Sequence, residues 1–540
     1  MGAALSASVE PGGGAPVQAA RRRLRPTLVH TKARHYRRPG GPWRVGTLDA
    51  LLSDPPTAVH HHRVVDGDRR LGDTELAEAV NQLAGRLRRA GVRRGDAVAW
   101  QLPNGLAAVL LFRACWRLGA VAVPIHPAAG GADLAASLAQ VTPQLVLASI
   151  GSAASELPGA VTVADGAGDP FADLLPAAPV AGPASTASPA DLALAIFTSG
   201  SSGRAKGVLH TQRGLAYKAR SLARAHGLAA GDVVLAPAPM SHISGLLSGV
   251  LLPAAVGMTS VSMARWDPDR AVGLVEQERV TFMAGPPTFF VTLTAASGFR
   301  PDKVSSVRLV SAGGAAVTPA FVDETTDSLG CLVKRTYGSS EAPMVATSVP
   351  GDDPRMARDT DGRAVGDAEL MVVDQHGKAC PSGRAGELWV RGPELFVGYA
   401  DAADNEGARA RGGWFRTGDL ATLEGEGWLQ VVGRLKEVII RGGENVSSAE
   451  VERALEAHPH VDQAVVVPYP DAVMGERVGA VVVAPPSFDA VACGRWLAAQ
   501  GLARHKVPER LVHVPALPML ASGKADRARV RELVEAASPA

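Results

Sequence analysis

The sequence predicts an α/β protein: a large N-terminal domain of α/β sheet subdomains, followed by a small α+β C-terminal domain. Three observations carry this. Apolar residues recur at helical spacing in successive segments, short apolar runs of strand length stand between them, and the composition changes near residue 433. Helices alternating with short apolar strands mark a largely parallel sheet.

The first helical pattern covers residues 73–90. Leu76, Ala79, Val80, Leu83 and Leu87 fall on one face, and Thr74 is the expected cap. A strand is expected at 97–102, a helix at 105–118 and a strand at 120–124. After a Pro/Ala/Ser-rich loop at 176–190, a strand at 192–197 enters a Gly/Ser turn, and a helix covers 211–225. Further strands are expected at 233–236, 281–284, 307–311 and 387–390. Beyond residue 433 come strands at 437–440, 463–468 and 478–483, with helices at 448–457 and 489–500. That order suits a compact α+β unit. The expected division is a flexible basic arm at 1–43, an N-terminal domain at 44–433 and a C-terminal domain at 434–540. There is no useful internal repeat.

The chain has 540 residues, 46% of them hydrophobic, enough for a large core. Charged residues make up 20% and the net charge is +2, so a nucleic-acid partner is not expected. Cys115, Cys331, Cys380 and Cys493 are far apart, which fits free thiols in a reducing cytosol and hence a cytoplasmic protein. The apolar stretch at 246–258 is too short to span a bilayer and is broken by Pro253 and Gly257. At the N-terminus, Arg21, Arg22, Arg23 and Arg25 follow the small-residue run, the reverse of a secretory signal.

The segment with most chemistry is Phe197-Thr198-Ser199-Gly200-Ser201-Ser202-Gly203-Arg204-Ala205-Lys206-Gly207. Glycines let the backbone turn on itself, and N–H groups and hydroxyls can then wrap phosphate oxygens. Lys206 adds positive charge. This is not a Walker loop, because Lys206 lacks the flanking Gly and Ser/Thr; Gly523-Lys524 fails too, since position 518 is Pro. Ser311-Ala312-Gly313-Gly314-Ala315-Ala316 offers small residues against which a purine can lie. In Tyr337-Gly338-Ser339-Ser340-Glu341 the ring can cover the other face.

These segments, in this order across about residues 70–530, resemble the adenylate-forming (AMP-binding) superfamily, of the acyl-CoA synthetase or fatty-acid–CoA ligase type. The resemblance assigns Thr198, Ser199, Gly200, Ser201, Ser202, Gly203 and Lys206 to the phosphates. It assigns Gly313, Gly314, Ala315, Tyr337, Gly338, Ser339 and Ser340 to the nucleotide, and Glu341 to Mg²⁺. Asp419, in Gly413-Trp414-Phe415-Arg416-Thr417-Gly418-Asp419, resembles the ribose carboxylate; an acceptor-only group suits a diol. Arg434 is similar to the family's arginine near ribose and phosphate, Lys436 occupies the hinge, and Gly442-Gly443 would border the thiol tunnel. Lys524 resembles the lysine that bridges the substrate carboxylate and the α-phosphate. His242, in Ser241-His242-Ile243-Ser244-Gly245, would sit near the acyl group or the thiol path.

Ala205 and Ser448 stand where the family commonly has Pro, and Met519 and Leu520 replace a basic and a hydroxyl residue. None removes a group that the chemistry needs. The resemblance implies ATP, Mg²⁺ and coenzyme A, with a small carboxylic acid as substrate. Only Ser and His stand where amino-acid-activating relatives place an Asp, so a hydrophobic acid without an amine is expected: fatty, alicyclic or aromatic. Leu246, Leu247 and the segment from Gly285 to Phe290 are the expected apolar walls. The alternatives are an acyl-AMP ligase loading a separate carrier protein and a catalytically silent binding relative. Lys206, Glu341, Asp419 and Lys524 are all present, against the silent reading.

Overall fold

The computed structural model describes residues 24–28, 30–53, 63–164, 169–174, 185–198, 205–441, 444–471, 473–520 and 525–537. The side chains of Val45, Ser53, Asp173, Lys436 and Asn445 fall outside that set. Two sheets dominate the N-terminal part: six strands in one, nine in the other. Both are parallel at their centres, with antiparallel strands at the edges.

Strand side chains alternate between faces, so each strand contributes to two cores. Val98 and Trp100 of one sheet, and Val234, Phe282 and Leu309 of the other, share a central core. The helices Asp73–Arg89, Leu106–Leu118 and Gln212–His226 fill that layer. The alternate residues point away. Leu235, Met283 and Val310 pack with helices Pro268–Glu278, Pro287–Thr294 and Pro319–Leu329, while Ala97 and Ala99 pack with Gly131–Val141. The order is thus helix, sheet, helix, sheet, helix.

A four-stranded antiparallel sheet spans Glu369–Val373 to Trp428–Arg434. The last sheet begins at Val438–Arg441 and has five strands, covered by Ser448–Glu456, Ala490–Ala499 and Arg527–Ala536. No helix among the described residues is long and apolar enough to cross a membrane.

Two expectations are corrected and one strand is added. The cap of the first long helix is Gly72, not Thr74: the Glu75 side chain accepts from the Gly72 N–H at 2.9 Å. The added strand, where no element was expected, is Lys206–Thr211, paired with Leu192–Thr198. The flexible arm expected at 1–43 is, from residue 24 on, packed on the domain wherever it is described. The Thr27 and Leu28 N–H groups both donate to the Val397 carbonyl at 2.9 Å, Lys32 pairs with Glu369 at 2.8 Å, and Tyr36 and Trp43 are buried. Aromatic burial outweighs the chain entropy that its basic composition suggested.

One buried pair ties the central helix layer to the loop before Tyr399. Lys218 Nζ lies 3.2 Å from Glu394 Oε1, both fully buried. Removing one partner strands a charge, whereas removing both does not. Lys218→Met is expected to cost about 3–5 kcal/mol, read as a lowered Tm, and Lys218→Met/Glu394→Leu to recover more than half. In the C-terminal unit, burial pushes the Glu456 carboxyl up to about 7, although the Ala464 N–H opposes the shift. The folded state therefore holds this proton more tightly than the unfolded state. Stability from it is full below the ordinary carboxylate range and is lost as pH rises through about 7. Glu456→Gln should raise Tm at pH 8 more than at pH 4.5 in a pH series of melts.

Candidate active site

The phosphate-loop hairpin is Leu192–Thr198 and Lys206–Thr211, with Thr198 directly opposite Lys206. Ser199, Gly200, Ser201, Ser202 and Gly203 lie outside the described residues. The hairpin is pinned from its open side. The Val397 N–H donates to the Leu209 carbonyl at 2.8 Å, and the Ala400 N–H to the Gly207 carbonyl at 2.7 Å. A Cβ at position 207 would stand 3.0 Å from the Ala400 Cβ, so glycine allows this approach. Lys206 Nζ then lies 3.2 Å from Asp404 and 5.2 Å from the Tyr399 ring centroid.

The nucleotide segments occupy the ends of two neighbouring parallel strands, Leu309–Gly313 and Leu332–Tyr337. Gly313 has no room for a side chain: its Cβ would meet the Thr336 carbonyl at 2.5 Å. Gly314 follows at φ +79°, a left-handed turn that suits glycine, and Ala315 comes next. Gly338 is equally confined: a Cβ there would stand 2.2 Å from the Met344 nitrogen. The Ser339 N–H donates to the Ala342 carbonyl at 3.0 Å, closing the turn that carries Ser340 and Glu341. His210 braces this turn. Burial pulls its imidazole down to about 4, and Nε2 lies 2.7 Å from the Ser340 carbonyl. A neutral imidazole bonding a carbonyl donates its N–H. Glu341 Oε1 accepts from the Tyr399 hydroxyl at 2.8 Å.

Asp419 and Arg434 are paired across neighbouring strands, with Arg434 Nε 3.0 Å from Asp419 Oδ1. Tyr337 donates its hydroxyl to Asp419 Oδ2 at 2.5 Å. Burial raises the Asp419 carboxyl while Arg434 opposes the shift; burial and Asp419 together push the Tyr337 phenol well up. The tyrosine remains a donor and the carboxylate keeps lone pairs for further donors. The structure thus brings Tyr337, Asp419 and Arg434 together, and Lys206, Glu341, Tyr399 and Asp404 together. The two groups are linked through the Tyr337–Glu341 turn.

Lys436 lies in the short helix Leu435–Glu437, immediately after Arg434, with its side chain outside the described set. Gly442 and Gly443 lie outside it too, between the paired strands Val438–Arg441 and Glu444–Ser447. Lys524 is also outside, beside a described bridge between Met519 and Ala525. Ser448 uses its hydroxyl where proline would have none, donating to the Glu437 carbonyl at 2.8 Å.

His242 caps the short helix Ile243–Leu246, and its ring centroid is 5.3 Å from that of His126. His126 Nδ1 accepts from the Ala128 N–H at 3.1 Å, and burial lowers its pKa. The expected apolar walls need correction. Leu246 and Leu247 are buried in the central core and Phe290 in the outer core of the nine-stranded sheet. Phe289 faces the other way and stacks on Trp266 at 4.6 Å. His126, His210, Trp266, Tyr399 and Asp404 were not singled out in the sequence. The only local signal was an isolated histidine or aromatic beside a motif.

Among the described residues no cluster of three or more His, Cys, Asp or Glu could hold a metal by itself. One carboxylate beside a phosphate loop suits Mg²⁺, which is commonly held by one or two carboxylates and the substrate phosphates. An acceptor carboxylate at Asp419, a second carboxylate at Glu341 able to take a hard cation and an ammonium at Lys206 able to take anionic oxygens are groups that suit a nucleoside triphosphate. The chain belongs to the AMP-binding enzyme family, which matches residues 55–400, and that family's C-terminal domain matches residues 450–524. It is 32% identical over 494 residues to the medium-chain fatty-acid–CoA ligase of Escherichia coli (strain K12), covering 85% of this chain and 84% of that one. It is 34% identical over 508 residues to a feruloyl-CoA synthase of Amycolatopsis sp, covering 91% and 98%. ATP-bound MatB from Rhodopseudomonas palustris superposes with a TM-score of 0.82 at 27% identity, over 90% of this chain and 98% of that one.

Asp419→Asn removes the charge that Arg434 and the Tyr337 hydroxyl meet. ATP affinity, measured by calorimetry without acid, is expected to fall about 10-fold or more.

Proposed function

We propose that this protein is an AMP-forming acid–thiol ligase that converts a hydrophobic carboxylic acid, fatty, alicyclic or aromatic, to its CoA thioester. One observation carries most of the weight. The paired Asp419–Tyr337–Arg434 group and the Lys206–Glu341 group flank a single turn at the sheet ends. Asp419 accepts from the ribose hydroxyls. Lys206 and the loop N–H groups bind the β- and γ-phosphates. Glu341 would hold Mg²⁺, whose charge offsets the triphosphate.

In the first half-reaction a carboxylate oxygen forms a bond to the α-phosphorus, and the bond to the bridging oxygen of pyrophosphate breaks. Lys524 bridges the two anions that meet there and lowers their repulsion. In the second, thiol sulfur bonds to the acyl carbon, the bond to AMP breaks, and the thiol proton passes to solvent. The C-terminal domain turns about Lys436 between halves, replacing Lys524 by Gly442-Gly443. His242, beside His126, lies along the acyl or thiol path. The site works in the cytoplasm, where ATP and CoA are supplied and the four cysteines stay free.

The test is AMP release from ATP with a panel of acids, with and without CoA. A hydrophobic acid is expected to give CoA-dependent AMP release, and Lys524→Ala to lose it by on the order of 100-fold with ATP binding retained. Acid-dependent pyrophosphate without CoA acceleration would assign the acceptor to a carrier-protein thiol. Failure of every acid would overturn the reading.

A further inference from the structure

Tyr399 stands between the two charged groups that a metal–phosphate complex must meet. Its hydroxyl donates to Glu341 Oε1 at 2.8 Å, and the Lys206 ammonium lies 5.2 Å from its ring centroid, within cation–π range. Asp404 takes the same ammonium at 3.2 Å. The Tyr399 side chain is buried and its backbone is clamped: its N–H donates to Asn405 Oδ1 at 2.8 Å, and its carbonyl accepts from Asn405 Nδ2 at 3.3 Å. Glu341 is fixed at its other end, where its carbonyl accepts from the Phe396 N–H at 2.9 Å. Phe396 packs edge-on against the Tyr399 ring, with centroids 5.0 Å apart. A phenol facing a carboxylate oxygen supplies the hydrogen, so the Tyr399 hydroxyl is the donor of this bond.

We propose that Tyr399 is a positioning residue for metal–pyrophosphate recognition. Its hydroxyl fixes one oxygen of Glu341 so that the other faces a phosphate-bound divalent cation, and its ring holds the Lys206 ammonium near the phosphates. The inference rests on the reading of Glu341 as the Mg²⁺ carboxylate. One aromatic side chain then sets the spacing of an anion and a cation that would otherwise collapse onto each other. Asp404 serves as the counter-ion that Lys206 exchanges for phosphate oxygens.

The experiment is calorimetric titration of the full chain with inorganic pyrophosphate, without metal and at a series of Mg²⁺ concentrations. Tyr399→Phe keeps the ring and removes the hydroxyl. It should weaken Mg²⁺-dependent binding about 5- to 20-fold, recover at higher Mg²⁺, and leave metal-free binding at the wild-type value. Tyr399→Leu should weaken metal-free binding as well. Equal behaviour of Tyr399→Phe and wild type at every Mg²⁺ concentration overturns the inference. So does an equal loss with and without metal, which marks a merely structural role. Glu341→Gln separates the two levels. If it shifts the Mg²⁺ dependence and Tyr399→Phe does not, only the inference falls. If it shifts nothing, the metal reading of Glu341 falls and the inference with it.

Discussion

A buried carboxylate must be held by donors, and Asp419 is held by two that come from different parts of the fold. Tyr337 ends a strand of the nine-stranded sheet; Arg434 ends the last strand of the four-stranded sheet, two residues before Lys436. Satisfying this one group therefore fixes where the two sheets meet and where the chain leaves for the C-terminal unit. Tyr337 leads directly into the turn that carries Ser340 and Glu341, so the contact that holds Asp419 also sets where Glu341 stands, a short stretch of backbone away.

The surroundings of Lys206 are built by a different device. A glycine at 207 lets the Lys206–Thr211 strand approach the 397–400 segment, and the backbone bonds made there bring Tyr399 and Asp404 to Lys206. His210, neutral through burial, then bonds the Ser340 carbonyl. Each charged group in the site thus answers to a partner from another segment. This is how preorganised charge is kept in place before a substrate arrives. The helix layer beneath is anchored to the same loop through Lys218 and Glu394.

Much of this was legible in the sequence, for physical reasons. The strand at 233–236 is a continuous apolar run and the helix at 448–457 has helical periodicity, and the structure has them at Val233–Ala236 and Ser448–Glu456. The glycine-rich motifs were legible because a backbone without room for Cβ demands glycine, as at Gly313 and Gly338. What escaped was partnership across long separations. Nothing beside Tyr399 says that it bonds Glu341, 58 residues earlier. The Lys206–Thr211 strand is hidden because glycine and polar residues obscure its alternation. Residues 24–43 read as a tail because basic residues outnumber the few aromatics that anchor them.

The central claim is that the acid's own oxygen bonds to the α-phosphorus of ATP before any thiol takes part. Its most direct test is oxygen-isotope transfer. The protein is given a hydrophobic acid labelled with ¹⁸O in its carboxylate, together with ATP, Mg²⁺ and CoA, and the products are weighed by mass spectrometry. The account predicts one ¹⁸O in AMP and none in pyrophosphate. Label appearing in pyrophosphate or inorganic phosphate, with AMP unlabelled, would contradict it.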